Sequence, residues 1–189
     1  ERCLAQPRCH YRRGAHGRSE KGRLLHSHRH GGAAGGGKSD ALVMEGLRQI
    51  KIPHYKGLLI RKTFPQLAEL IDKSYKYYPL VDKKARYNAS EHTWKFSSGA
   101  KIRFGSMHHP SDRHQYQGQA YDYIGFDELT HFTREEYEFL KSRNRANGPG
   151  TRCYIRSTAN PGGIGHGWVK ERFIDAGRAG ETLWERVEV

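Results

Sequence analysis

A chain of 189 residues is long enough for one compact domain with a core and too short for a second full domain. Its 33 Lys and Arg against 20 Asp and Glu leave a formal charge of +13, which favours an anionic partner such as nucleic acid. The sequence holds neither an apolar run of membrane-spanning length nor the apolar core of a signal peptide, so a soluble intracellular protein is expected, not a secreted or membrane one.

Residues 1–30 carry eight Lys or Arg against two Glu, a net +6, which leaves +7 for the other 159. This stretch is crowded with Arg, His and Gly and lacks apolar periodicity, so it cannot bury enough surface to offset chain entropy. A disordered or aberrant arm is expected there, of a composition that suits a frame-shifted or foreign start. The spacing of His26, His28 and His30 fits no familiar metal-ligand pattern. Cys3, Cys9 and Cys153 make no even framework and no C-x-x-C, which points to a reduced setting. Cys153 is expected to be a small core residue.

From Gly31 onward short apolar runs alternate with helical patterns, which predicts an α/β fold: a mostly parallel sheet flanked by helices, over 31–189. Its first feature, Gly32-Ala33-Ala34-Gly35-Gly36-Gly37-Lys38-Ser39, fits G-x-x-x-x-G-K-[ST]. In such a P-loop the backbone N–H groups at Gly32, Gly35, Gly36 and Gly37 wrap the phosphates of ATP, and the following helix adds its positive end. Lys38 would reach the β and γ phosphates, and the Ser39 hydroxyl would ligate Mg²⁺. A buried strand should precede the loop, and Leu24 to His28 is a poor one.

Ser39 to Ile50 places Val43, Leu47 and Ile50 on one helical face, Gly57 to Arg61 (GLLIR) reads as a buried strand, and Pro65 to Tyr78 as the next helix. Thr93 to Ser97 and Ala100 to Phe104 flank Ser98-Gly99 in a hairpin pattern. Tyr123-Ile124-Gly125-Phe126 is a strand that delivers Asp127 to the metal and Glu128 as the base that polarises the attacking water; taken alone, the same pattern describes a solvated strand end. Thr133 with Glu136 makes a capping box that opens a helix. The strand Arg152 to Ser157 runs into Ser157-Thr158-Ala159-Asn160-Pro161-Gly162-Gly163, suited either to sensing a γ-phosphate or to an ordinary Asn-Pro-Gly turn. Trp168 to Ala176 is the last helix. An arginine that stabilises charge on the transferred phosphoryl group is also expected. Arg113 and Arg61 are its candidates, each with a surface or phosphate-contact role as the alternative.

GGAAGGGKSD, LLIRKTFPQL, HQYQGQAYDYIGFDELTHF and STANPGG with GHGWVKERF, taken in that order, resemble the ATPase domain of the large terminase subunit of tailed bacteriophages. The resemblance covers roughly residues 31–176. It implies a P-loop NTPase of the additional-strand, catalytic-glutamate type, in which a strand ending at Ser157 separates the P-loop strand from the Asp127 strand. It further implies that Glu128, Lys38 and Arg113 act in catalysis, that Ser39 and Asp127 hold the metal, and that Ser157, Thr158 and Asn160 couple hydrolysis to DNA movement. The implied function is ATP hydrolysis that powers translocation of double-stranded DNA into a procapsid. Portal protein and small terminase subunit are the implied partners, around a homo-oligomeric ring in the host cytoplasm. The family continues into a metal-dependent nuclease domain that this sequence does not contain, so no DNA cleavage is expected. Two alternatives stay open: another nucleic-acid-stimulated ATPase such as a helicase, and a truncated remnant that binds nucleotide or DNA without turnover.

Overall fold

Apolar runs that end in a polar residue build the sheet, and amphipathic segments between them build the helices. The computed structural model describes residues 23–25 and 37–175. Strand β1 (Arg23–Leu25) lies within the stretch expected to be an arm. Helix α1 (Lys38–Glu45) buries Leu42 and Val43, and tightens into a 3-10 turn over Gly46–Gln49, starting at a glycine, a weak helix former. Strand β2 (Lys56–Arg61) is the GLLIR run and is buried at every position after Lys56.

Helix α2 (Phe64–Val81) takes Pro65 in its first turn, where a missing N–H costs nothing, and buries Leu67, Leu70, Ser74 and Tyr78 at spacings of three and four. Each buried leucine contributes roughly 1.5–3 kcal/mol. The expected hairpin forms as β4 (Thr93–Lys95) and β5 (Lys101–Ser106), with β3 (Arg86–Asn88) added on its outer edge. Strand β6 (Tyr123–Phe126) precedes α3 (Arg134–Lys141), whose capping box is in place: Glu136 N donates to Thr133 Oγ1 at 3.2 Å and Thr133 N to Glu136 Oε2 at 3.0 Å. Strand β7 (Tyr154–Ala159) leads to α4 (His166–Lys170), which passes into a π turn over Glu171–Asp175. Cys153 departs from expectation: it stands exposed in the extended segment before β7, outside the strand whose side chains reach the core.

The sheet runs β1-β7-β6-β2-β5-β4-β3. Its four central strands, β7, β6, β2 and β5, are parallel, and β4, β3 and β1 join antiparallel. Strand β7 does lie between β1 and β6, but β1 runs against it, with Leu24 opposite Thr158. A strand leading into the glycine-rich segment before Lys38 in the parallel sense is therefore not among the described residues.

Alternation along the strands sorts the core into two layers. Leu59, Ile102, Phe104 and Tyr123 pack under α1 and α2. Leu58, Ile60, Ile124, Phe126 and Ile155 face the other way, toward α3 and α4. Among the described residues no helix is long and apolar enough to cross a membrane.

Candidate active site

Parallel strands bring their carboxyl ends to one edge of a sheet, where ligands of α/β proteins bind. The register here pairs Ile60 with Phe126 and Phe126 with Ser157. The next residue on each strand therefore falls in one transverse row: Arg61, Asp127, Thr158. All three lie on the α1 side of the sheet. Gly125, one turn of the pleat below Asp127, is demanded by that side: a Cβ there would come within 2.6 Å of Leu59 Cδ2 and 2.7 Å of Tyr123 Oη.

Asp127 is 1% exposed and sits at the centre of the row. Thr158 Oγ1 donates to its Oδ1 at 2.5 Å, and Ser39 Oγ lies 3.1 and 3.2 Å from its two oxygens. Arg61 Nε stands 3.0 Å from Oδ2. That contact is coulombic, because the Nε–H is not aimed at a hydrogen-bond acceptor. Burial pushes the Asp127 carboxyl above its ordinary value and outweighs the opposing pull of Thr158, Arg61 and Ser39.

Glu128 turns away from the strand in a left-handed conformation, φ 57 and ψ 60, which a non-glycine residue adopts only at a cost of roughly 1–2 kcal/mol. Four contacts hold it. Its N–H donates to Thr158 Oγ1 at 2.9 Å, Asn160 Nδ2 donates to Oε1 at 3.2 Å, Arg61 Nη2 lies 3.3 Å from the same oxygen, and His131 Nε2 is 3.2 Å from Oε2. The turn aims the carboxylate across the edge of the sheet while Asp127 stays buried.

Lys38 opens α1 after Gly37, whose φ of 70 suits a residue without a Cβ. Its Nζ donates to Asn160 Oδ1 at 2.7 Å. Asn160 thus links Lys38 to Glu128, and its carbonyl accepts from Thr130 Oγ1 at 2.9 Å. The residues predicted from separate segments, Lys38, Ser39, Asp127, Glu128, Thr158 and Asn160, form one connected cluster. Ser157 is buried on β7 opposite Phe126, and alternation turns its side chain to the sheet face away from Thr158. Arg113 is exposed on the 3-10 turn Pro110–Tyr116 after β5 and makes no hydrogen bond or ion pair among the described residues. Gly32, Gly35 and Gly36 lie outside the described residues, as does the His26, His28, His30 group.

Sequence reasoning missed the network behind Arg61. This residue is 8% exposed, and its Nη1 reaches both Gln66 O and Glu69 Oε2 at 2.9 Å. Glu69 pairs with Lys73 at 3.0 Å, and Lys73 with Asp40 on α1 at 3.3 Å. A chain of alternating charge therefore runs from the start of α1, through α2, to Asp127 and Glu128. The i,i+4 spacing of Glu69 and Lys73 was its one visible signal.

Mg²⁺ is a hard cation that binds through one or two carboxylates together with substrate phosphates and water. The Ser39 hydroxyl beside the Asp127 carboxylate is a donor set of that kind, all oxygen. Among the described residues no group of three or more His, Cys, Asp or Glu side chains is disposed to hold a metal without help from a ligand.

A helix-flanked sheet with a parallel centre, and a lysine, a serine and two acids gathered at its carboxyl edge, define an α/β protein compatible with a P-loop-like fold. The family model described as terminase large subunit, T4likevirus-type, N-terminal, matches residues 30–171, and the chain belongs to that family. Comparison with curated proteins finds no match.

Proposed function

We propose that this chain hydrolyses ATP and that hydrolysis drives double-stranded DNA into a phage procapsid. The observation that carries the reading is the joining of Lys38, Ser39, Asp127, Glu128 and Asn160 in one hydrogen-bonded cluster at the carboxyl edge of the sheet. Family membership supports the packaging role.

In this reading Lys38 Nζ binds the β and γ phosphates, and Ser39 Oγ and Asp127 hold the cation. A bound Mg²⁺ supplies charge neutralisation at the phosphate oxygens. Arg61 and Thr158 fix the Asp127 carboxylate in its place. Glu128 orients the attacking water and accepts its proton, for which its partly exposed carboxylate is suited. Asn160 contacts both the phosphate-binding lysine and the base, so a shift of Lys38 onto phosphate frees its amide to move. That linkage supports Thr158 and Asn160 as coupling residues; Ser157, buried on β7, would act through the strand. We assign the additional-strand, catalytic-glutamate type on the position of β7 beside β6 and on the Asp127-Glu128 pair. Arg113, free to reach a neighbouring subunit, remains our candidate for the arginine that acts on the γ-phosphate, while Arg61 is committed to the two acids.

Steady-state phosphate release with and without duplex DNA tests the function. We expect Mg²⁺-dependent turnover that duplex DNA stimulates and Lys38→Ala abolishes. Strand separation coupled to turnover would favour a helicase. Silence in both assays, with nucleotide still bound, would identify a remnant without catalysis.

A further inference from the structure

The register also lines up a row of cations on the far side of the molecule. Lys56 on β2 is the partner of Lys101 on β5, Lys101 of Lys95 on β4, and Lys95 of Arg86 on β3. Directly opposed residues project to the same face of a sheet. Since Ile102, Trp94 and Tyr87 pack under α2, these four cations lie on the other face, and all four are exposed. Strands are spaced about 4.8 Å apart, so the row spans about 14 Å. Arg103, the next residue on that face of β5, marks its border, where the guanidinium lies over the Tyr116 ring at 5.4 Å.

Two acids adjoin the row, Glu91 and Asp122, and Asp122 is fully buried with its carboxylate taken up by Lys56 N and Asn147. Lys95 pairs with Glu91 at 3.1 Å, both well exposed, so the contact is weak and screened. Lys56 and Lys101 have no ion pair among the described residues. Arg86 Nη1 donates to Lys83 O at 3.1 Å and Ala85 O at 2.9 Å, which fixes its guanidinium in place. Beside Lys56 and Lys101 the surface dips into a cleft of about 240 Å³, bordered by Pro53, His54 and Asn147.

We propose that this four-strand face is a docking surface for the phosphate backbone of duplex DNA. Like charges directly opposed across strands destabilise a sheet, and three successive such pairs are compensated when an anion lies along them. Over about 14 Å of axis a duplex presents roughly eight backbone charges, so each cation meets a phosphate. The occupant is DNA because the row holds no aromatic platform for unstacked bases: the rings of Trp94 and Tyr87 are turned inward. The row also lies at the amino-terminal ends of β2 and β5. Five residue steps of about 3.3 Å put it about 16 Å along the sheet from Arg61, so DNA there leaves the nucleotide edge open. The proposal rests on the chain being a DNA motor, and names where the motor touches its track.

The test is fluorescence-anisotropy titration of a 30-base-pair duplex with the full chain between 50 and 200 mM salt. It uses wild type, the triple variant Lys56→Gln, Lys95→Gln, Lys101→Gln, and the control triple Lys76→Gln, Arg134→Gln, Lys170→Gln, which removes equal charge elsewhere. Three lost phosphate contacts should lower the log-log salt slope by about 2.7, so the affinity drop over that range shrinks about 40-fold. The control slope and the DNA-free ATPase rate should match wild type. A row variant that binds and responds to salt like the control overturns the proposal, as does one that loses a 30-base single strand but keeps the duplex. Failure of wild type itself to retain duplex at 50 mM salt overturns the motor reading, and the docking surface with it.

Discussion

Arg61 Nε lies 3.0 Å from Asp127 Oδ2, and both side chains are buried. Taking a single partner from a buried ion pair leaves the other charge without compensation, at a cost of about 3–5 kcal/mol. Here Ser39 and Thr158 still bond Asp127, which favours the lower end. Arg61→Met should therefore lower unfolding free energy by about 3 kcal/mol in urea titration at pH 7. A change below 1 kcal/mol would show that the pair is not a structural element.

Thr158 Oγ1 does two things at once: it donates to Asp127 and accepts from the backbone of Glu128. Thr158→Val keeps the shape and removes both bonds, leaving the part-buried Glu128 N–H unpaired and Asp127 Oδ1 dependent on Ser39. We expect about 2 kcal/mol of destabilisation by thermal or urea unfolding. ATP turnover should fall further than stability accounts for, since Glu128 loses the bond that fixes its turn. Retention of full turnover would remove Thr158 from the positioning of the base.

The left-handed backbone of Glu128 separates two substitutions that both delete the carboxylate. Glu128→Ala keeps a Cβ in that region and Glu128→Gly does not, so the glycine variant should be the more stable of the two by about 1 kcal/mol. Paired melting curves read the difference directly. Equal stability would mean that the turn relaxes once the side chain is gone.

Glu69 shows how much of this was legible in the sequence. The strand ends were readable because an apolar run followed by Arg61, by Asp127-Glu128 or by Thr158 to Asn160 has a single sensible orientation in a parallel sheet. The capping box at Thr133 and the hairpin at Ser98-Gly99 were readable for the same local reason. Glu69 was not, because its meeting with Arg61 depends on how α2 lies across β2, and no spacing within α2 encodes that. Asp122 was missed similarly: it looks like the polar start of a strand, yet it is fully buried and accepts from Lys56 N and from the backbone and side chain of Asn147, each at 2.9 Å. Cys153 erred the other way, since a small apolar residue next to a strand carries no mark of which side of the boundary it occupies.

The same Glu69 gives a pH signature. Hydrogen bonds from Lys73 first, and then from Arg61, hold its carboxyl below the ordinary value. A depressed folded-state value adds stability that is present above about pH 4.5 and is lost as pH falls through the depressed value. Its side chain is more than half exposed, so solvent screening keeps the contribution below about 1 kcal/mol. Lys73→Met should make the loss of stability below pH 4.5 shallower, seen as a flatter plot of urea midpoint against pH. A steeper plot would contradict the assignment.

The central claim is that Glu128 is the base of an ATPase, and ATP hydrolysis by Glu128→Gln measures it most directly. The substitution keeps the shape and the contacts with Asn160 and Arg61 but cannot accept a proton. Turnover should fall at least about 100-fold, while filter retention of Mg²⁺ and ATP stays at the wild-type level. A variant that binds ATP and still turns it over at the wild-type rate would contradict the account.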